Sequence, residues 1–445
     1  MPPTNATIID AREGINFVAD ANDPDAFQRS RFLSSVFTAS HAFNSMVSIQ
    51  GYYSNLQTRR RNDNGPLGSG FQSASTSHND GSIQTANFTT AITPKSHTIK
   101  IGYEFEHEKY VNENSTPSGT TNNWTRAFQS SNTIFAQDVI SLYGGKLQLA
   151  GGARAQWFDL KMPEFSLANA LFSNTSAADP RPAYTFDGAV SYFFNQSGTK
   201  LRAHVGNGYR VPSLYERFGS FFSTWPAPGF VALGDPELKP EKTIAFDAGV
   251  EQYAFNDKAR FVATYFYTHL RDVIGFGSVP QPDPNNRFSG YLNTKGGIAR
   301  GGEFSVDAKP SGSTDIFASY TFTNSDQRRP QVAGTGIIRT LGIPDHQFTM
   351  NFTQRFDRFW VNMDILVSSS YLAPIFSNST FITYLYRFEG NRRADLTGGY
   401  TFRVGKDRYG LRLFGTVENL FDNAYFENGF RTPRRHARAG LNFSF

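Results

Sequence analysis

The chain has 445 residues, no cysteine, a formal net charge of +5 and a mean hydropathy of −0.42. Without cysteine there is no disulfide framework or thiolate metal site. No run of ~18 apolar residues exists that would serve as a transmembrane helix, and no dense basic tract invites nucleic acid as a partner. Aromatic residues nevertheless reach 15%, with 43 Phe and 20 Tyr, a surplus suited to strands that alternate between lipid and water.

Taken in chain order, residues 1–27 are polar and irregular and are expected to be a loop remnant, with 28–445 forming one all-β domain. In 97–106, Ile99, Ile101, Tyr103 and Phe105 alternate with Lys100, Glu104 and Glu106. Segments 146–157, 298–309, 312–323 and 345–356 behave alike. In 358–372, Phe359, Val361, Met363, Ile365 and Val367 oppose Arg358, Asn362, Asp364 and Ser368. In 391–404, Ala394, Leu396, Tyr400, Phe402 and Val404 oppose Arg393, Asp395, Thr397, Thr401 and Arg403. The last strand puts Ala437, Ala439, Leu441, Phe443 and Phe445 on one face and His436, Arg438, Asn442 and Ser444 on the other. A helix would mix these sets, whereas a strand separates them.

Connections alternate in length. Short turns fall at Pro94-Lys95-Ser96, Gly144-Gly145, 195–198, Asn256-Asp257, Pro310-Ser311-Gly312, Asp357 and 405–407. Long loops fall near 60–82, 111–125, 161–181, 213–240, 275–286, 324–344, 373–390 and 422–434. Long loops outside and short turns inside are the asymmetry of an outer-membrane barrel, and a soluble sandwich, propeller or jelly roll has no reason to keep that rhythm. The expected fold is therefore a transmembrane antiparallel β-barrel with about 17 strands of the ~10-residue class.

Three segments exceed generic barrel pattern: Gly206-Asn207-Gly208-Tyr209-Arg210-Val211-Pro212-Ser213-Leu214-Tyr215-Glu216, Gly234-Asp235-Pro236-Glu237-Leu238-Lys239-Pro240-Glu241, and Glu418-Asn419-Leu420-Phe421-Asp422-Asn423-Ala424-Tyr425. A fourth joins Tyr291-Leu292-Asn293 to Ala299-Arg300 and Gly302-Glu303. In this order they resemble the motifs of TonB-dependent outer-membrane receptors of the siderophore and vitamin B12 type. Asp235 stands where that family more often has Asn, and the fourth motif departs slightly in spacing. The resemblance covers about residues 30–445 and is firmest from 200 onward. It implies about 22 strands in a whole barrel, an N-terminal plug and a TonB-engaging segment. None of the latter two is recognisable here, nor is a secretory signal, so the chain is expected to be a C-terminal barrel portion.

Without any resemblance, the motif residues read as rim architecture. Pro212 ends a strand, Pro236 and Pro240 fix an extended entry to the next, Glu241 and Glu251 are lumen or rim charges, and Asn419 and Asp422 bond their own backbone at a strand-to-loop junction. No hydrolase, kinase or dehydrogenase motif appears, so no enzyme and no cofactor are expected. The eight His are scattered, without the i, i+4 helical pairing of a zinc site.

Ligand recognition is expected on loops that combine aromatics with arginine. The candidates are Arg59 and Arg60, Tyr215, Phe222 and Trp225, Tyr384 and Tyr386, and Arg431 and Arg434. Guanidinium groups and aromatic faces suit an anionic, ring-bearing chelate. The competing reading is an aromatic girdle at the lipid interface, with basic residues facing lipopolysaccharide phosphates. The resemblance implies import of a scarce nutrient, first a ferric siderophore, with the TonB–ExbB–ExbD complex as partner. Cobalamin or another TonB-dependent nutrient is the alternative, and a plugless pore or surface adhesion receptor the alternative from another class.

Overall fold

The computed structural model describes residues 8–17, 23–68, 74–115, 122–166, 177–223, 229–294, 296–328, 337–377, 382–404, 409–427 and 429–444. Trp225, Phe445 and the turn expected at 405–407 lie outside them. One antiparallel sheet of 17 strands carries the fold.

The first eight strands are β1 Phe27–Ala42, β2 Val47–Asn64, β3 Ser75–Ile92, β4 His97–Ser115, β5 Asn122–Leu142, β6 Leu147–Phe165, β7 Ala183–Phe194 and β8 Thr199–Arg210. Then come β9 Glu241–Ala254, β10 Ala259–Arg271, β11 Gly297–Ser311, β12 Thr314–Arg328, β13 His346–Phe356, β14 Phe359–Ser368, β15 Arg392–Val404, β16 Tyr409–Glu418 and β17 His436–Ser444. Each strand pairs with its neighbour in sequence, and the sheet curls round as a barrel. Among the described residues no ladder joins β1 to β17, and all 16 residues of β1 are exposed.

The register proves the two faces. Glu104 stands opposite Asn87 and Thr133, Asp247 opposite His204, Glu303 opposite Thr264 and Thr321, and Arg412 opposite Thr401 and Asn442. At these positions polar meets polar across the ladders, and charges are paired across the wall. Arg154 reaches Glu104 at 3.2 Å, and Arg202 reaches Asp247 at 3.1 Å. The opposite face presents Tyr184, Phe186, Val190, Tyr192 and Phe194 on β7 and Leu201 and Val205 on β8, all exposed. Leu441 and Phe443 are exposed on this same face, opposite Leu413 and Leu411. A one-residue slip would exchange these sets, so the alternation fixes the register.

Two differences from expectation have physical causes. Several strands are much longer than a membrane needs: β5 has 21 residues and β4 and β6 have 19 each, or roughly 60 Å at ~3.3 Å per residue against a hydrocarbon core of ~30 Å. The ends expected as loops at 60–82 and 111–125 are thus largely paired strand, because in antiparallel pairs their polar residues still satisfy backbone donors. The stretch expected to be irregular also carries a strand. Ile8–Asp10 pairs parallel with Leu385–Arg387, and Phe17 is buried among Tyr386, Phe388 and Phe426. Those apolar contacts anchor an otherwise polar segment.

The faces make a measurable difference. Val190 points to lipid in the middle of β7, and Ala189 points inward beside His204. Val190→Arg is expected to destabilise the refolded barrel by ~2–4 kcal/mol, whereas Ala189→Arg costs under ~1 kcal/mol. Urea titration in lipid vesicles measures both. Equal costs would reverse the assignment of the faces.

Candidate ligand-binding site

The segment between β8 and β9 folds inward, and its local chemistry explains how. β8 ends at Arg210, and the buried Pro212, which lacks a donor, stops the ladder. Ser213 then caps a one-turn helix, α1 Leu214–Phe218, in a capping box: its hydroxyl accepts from the Glu216 backbone N–H, and the Glu216 carboxylate accepts from the Ser213 N–H at 2.7 Å. Leu214 and Phe218 pack against Tyr110, Ala127 and Leu160 on the inner faces of β4, β5 and β6. A hairpin of Ser220–Ser223 and Gly229–Ala232 follows, with the Phe222 and Phe230 rings 5.4 Å apart.

Buried amides bolt this segment to the wall. Asn112 donates to Asn79 at 2.9 Å, and Asn114 donates to Asn112 at 2.8 Å and to the Ser220 carbonyl at 3.0 Å. The Ser220 hydroxyl donates to Asn112 at 3.1 Å. Buried polar groups are stable only when paired, so this set fixes one placement of the hairpin.

Three of the sequence motifs interlock at the rim, and the C-terminal one is held by its own bonds. Arg210 Nε donates to Glu241 at 2.6 Å, and its Nη1 and Nη2 donate to both Glu216 oxygens at 2.8 and 3.1 Å. Glu241 also accepts from the Ile274 N–H at 2.8 Å. Asn293 and Lys239 exchange side-chain and backbone bonds at 2.7 and 2.8 Å. Gly234 passes so close to α1 that a Cβ would stand 2.4 Å from the Arg217 carbonyl carbon. In the C-terminal motif, Asn419 donates to the Asn423 and Pro433 carbonyls and accepts from the Asn423 N–H, while Asp422 takes two bonds from Arg434. Asn419 and Asp422 both hold left-handed φ, at 51° and 53°, which Asn and Asp tolerate. The architectural reading of these motifs thus has direct geometric support.

Two buried arginines were not among the sequence candidates. Arg217 is 3% exposed; its guanidinium donates to the Pro236 and Ala178 carbonyls at 2.9 Å, and burial pushes it down to about 10. Arg287 donates to Asp283 at 2.9 Å, Asp235 at 3.2 Å and the Gly234 and Tyr291 carbonyls. Burial would raise the Asp283 carboxyl, but hydrogen bonds from the Arg287 side chain and backbone outweigh it and hold it below its ordinary range. An aperiodic loop gives no pattern from which such partners can be read.

The sequence candidates divide into two groups. Arg60 lies on the inner face of β2 opposite Asn79, near enough that its charge draws the Tyr215 phenol down against the burial that pushes it up. Tyr215 meets Tyr110 and Tyr291 edge-on, with centroids 6.1 and 5.8 Å away, and Tyr291 meets Phe276 at 5.3 Å. Phe222 is buried on the hairpin against Phe230. Arg59, one residue from Arg60, points outward toward Asp80.

The remaining candidates lie elsewhere on the rim. Tyr384 and Tyr386 belong to the aromatic cluster around Phe17, where Tyr386 donates to the Asn16 carbonyl at 2.9 Å. Arg431 reaches Glu13 at 3.3 Å, and Arg434 is held by Asp422 at 2.7 Å. The structure therefore sets Arg60 and Tyr215 at one stretch of the inner wall, Phe222 on the hairpin against Phe230, and separately groups Tyr384, Tyr386 and Arg431. No group of three or more His, Asp or Glu with metal-binding geometry occurs among the described residues.

Two measurements test this rim. Asn114→Ala takes the donor from the Ser220 carbonyl and one of two donors from the Asn112 oxygen, and is expected to cost ~1–3 kcal/mol and to open 220–232 to protease; unchanged cleavage would mean the amide set does not hold the hairpin. Because the folded Asp283 value is depressed, the stabilisation it gives is complete above its unfolded value and is lost as pH falls through the folded one. Hydrogen exchange across 273–294 should accelerate in that acid window, and Asp283→Asn should abolish the acid step while exchanging faster at neutral pH.

The family model described as "TonB dependent receptor-like, beta-barrel" matches residues 3–420. The chain is 25% identical over 257 residues to the iron-regulated outer membrane virulence protein of Vibrio cholerae serotype O1, a match covering 55% of this chain and 37% of that protein. It superimposes on the copper transporter OprC with a TM-score of 0.68 at 17% identity, covering 94% of this chain and 65% of the other. The ferric-catecholate import receptor Fiu from K12 E. coli gives a TM-score of 0.66 at 16% identity, covering 95% and 64%. The chain thus spans less than two thirds of the length of each of these proteins.

Proposed function

We propose, on the premise that this chain belongs to the TonB-dependent receptor family and resides in the outer membrane, that it is the barrel portion of an importer for a ferric siderophore. On this reading residues 28–445 are the C-terminal part of the receptor barrel, and coupling to the TonB–ExbB–ExbD complex occurs through parts of the protein outside it.

The observation that carries the reading is the ring cluster of Tyr215, Tyr110, Tyr291 and Phe276, with the exposed Arg60 on the inner wall opposite Asn79, to which the Tyr110 hydroxyl donates at 3.5 Å. An exposed guanidinium, the half-buried Tyr215 and Tyr291 rings and the exposed Phe276 ring suit a chelate that is both anionic and ring-bearing. The iron-regulated relative and the ferric-catecholate receptor support iron as the cargo. The iron chelate is substrate here, and no resident cofactor is proposed.

The test is equilibrium binding of a ferric tris-catecholate to the detergent-solubilised protein, with cyanocobalamin as competitor. Arg60→Gln and Tyr215→Ala are each expected to weaken the ferric chelate at least tenfold, while Arg59→Gln, on the outer face, leaves it unchanged. Tighter binding of cyanocobalamin, or equal affinity in all three variants, would overturn the assignment.

A further inference from the structure

On the outer face of the barrel, across β8–β12, a cavity of about 1020 Å³ opens toward the hydrocarbon. Its origin is compositional. On β7 and β8 this face carries large side chains in successive rows, such as Tyr192 opposite Leu201 and Leu201 opposite Val250. Here Ala248 stands opposite Ala203 and Tyr265, and Gly302 opposite Tyr265 and Phe322. One row nearer the turns, Ala263 separates Val250 from Phe304. Ala248, Ala263 and Gly302 form a low floor, and the exposed rings of Tyr265 and Phe304 stand above it as walls.

The groove has a polar end. One row nearer the loops, Arg300 lies between Tyr267 and Asn324. It is exposed and makes no ion pair or side-chain hydrogen bond among the described residues. An unpaired guanidinium facing hydrocarbon is costly, so its place is where anionic headgroups begin. Toward the turns the same face continues with Phe261, Val306 and Ala308. The charge therefore caps the groove at the loop end alone, the side of the outer leaflet.

We propose that this groove is a lipid site that seats one acyl chain of lipid A, with a lipid A phosphate on Arg300. The apolar floor takes the chain, the guanidinium gives charge-assisted bonds to phosphate oxygens, and Asn324 beside it offers a neutral donor. A lipid of the inner leaflet would place its head at the opposite end, away from this cation.

The test is native mass spectrometry of the detergent-solubilised protein titrated with bis-phosphorylated lipid A, with monophosphoryl lipid A and phosphatidylglycerol as competitors. Arg300→Gln and Ala263→Phe are each expected to weaken lipid A at least tenfold, and Arg300→Lys to restore most of the loss. Gly398→Leu, on the outer face of distant β15, should change nothing. All variants are first checked for unaltered heat-dependent gel mobility, the sign of a folded barrel. Equal lipid A binding by wild type, Arg300→Gln and Ala263→Phe would overturn the site, as would phosphatidylglycerol displacing lipid A at equal concentration.

Discussion

A peptide group left unpaired in hydrocarbon costs several kcal/mol, and a polypeptide crossing a bilayer as strands can pay this nowhere except by pairing with neighbours. Everything else in this molecule follows from that requirement. From β1 to β17 each strand lies antiparallel beside the next, which forces side chains to alternate between lipid and lumen. The sequence answers with Leu201, Val205, Phe246 and Val250 on one side and Arg202, His204, Asp247 and Glu251 on the other. The inner wall then solvates its charges by cross-strand pairing, as in Arg202 with Asp247 and Arg260 with Glu251 at 2.8 Å. The ladders do not stop at the membrane, and their paired extensions give the loops a rigid base.

On that base the rim is built as one interlocked unit. Arg210 joins the end of β8, the first turn of α1 and the start of β9 in a single set of charge-assisted bonds. The same short region binds Lys239 to Asn293 and Asp235 to Arg287. The polar residues of these motifs are therefore architectural, and they position a segment that carries Tyr215 against Tyr110 on the inner wall.

Faces were legible from period-two alternation alone, because a strand exposes its two environments residue by residue. Asn419 and Asp422 were legible too, since their capping chemistry is local. Arg210, Glu216 and Glu241 were recognisable as a motif, but their contact depends on the β8–β9 register, which joins residues 31 apart. The Arg59-Arg60 pair shows the same boundary. Alternation says that the two point oppositely, yet only the ladder with β3 says that Arg60 is the inward one. Arg431 and Arg434 looked available for an anion, whereas Glu13 and Asp422 occupy them, and no local signal announces partners hundreds of residues away or across a loop. The Asp283–Arg287 pair was invisible because a loop has no period to interrupt.

The hairpin strands Ser220–Ser223 and Gly229–Ala232 are held by Asn114, Ser220 and α1 through side-chain bonds and packing, apart from the backbone ladders that join the wall. The segment is therefore a transplantable cassette: moved between barrels with its anchoring residues, it would keep its placement and leave the host's assembly untouched.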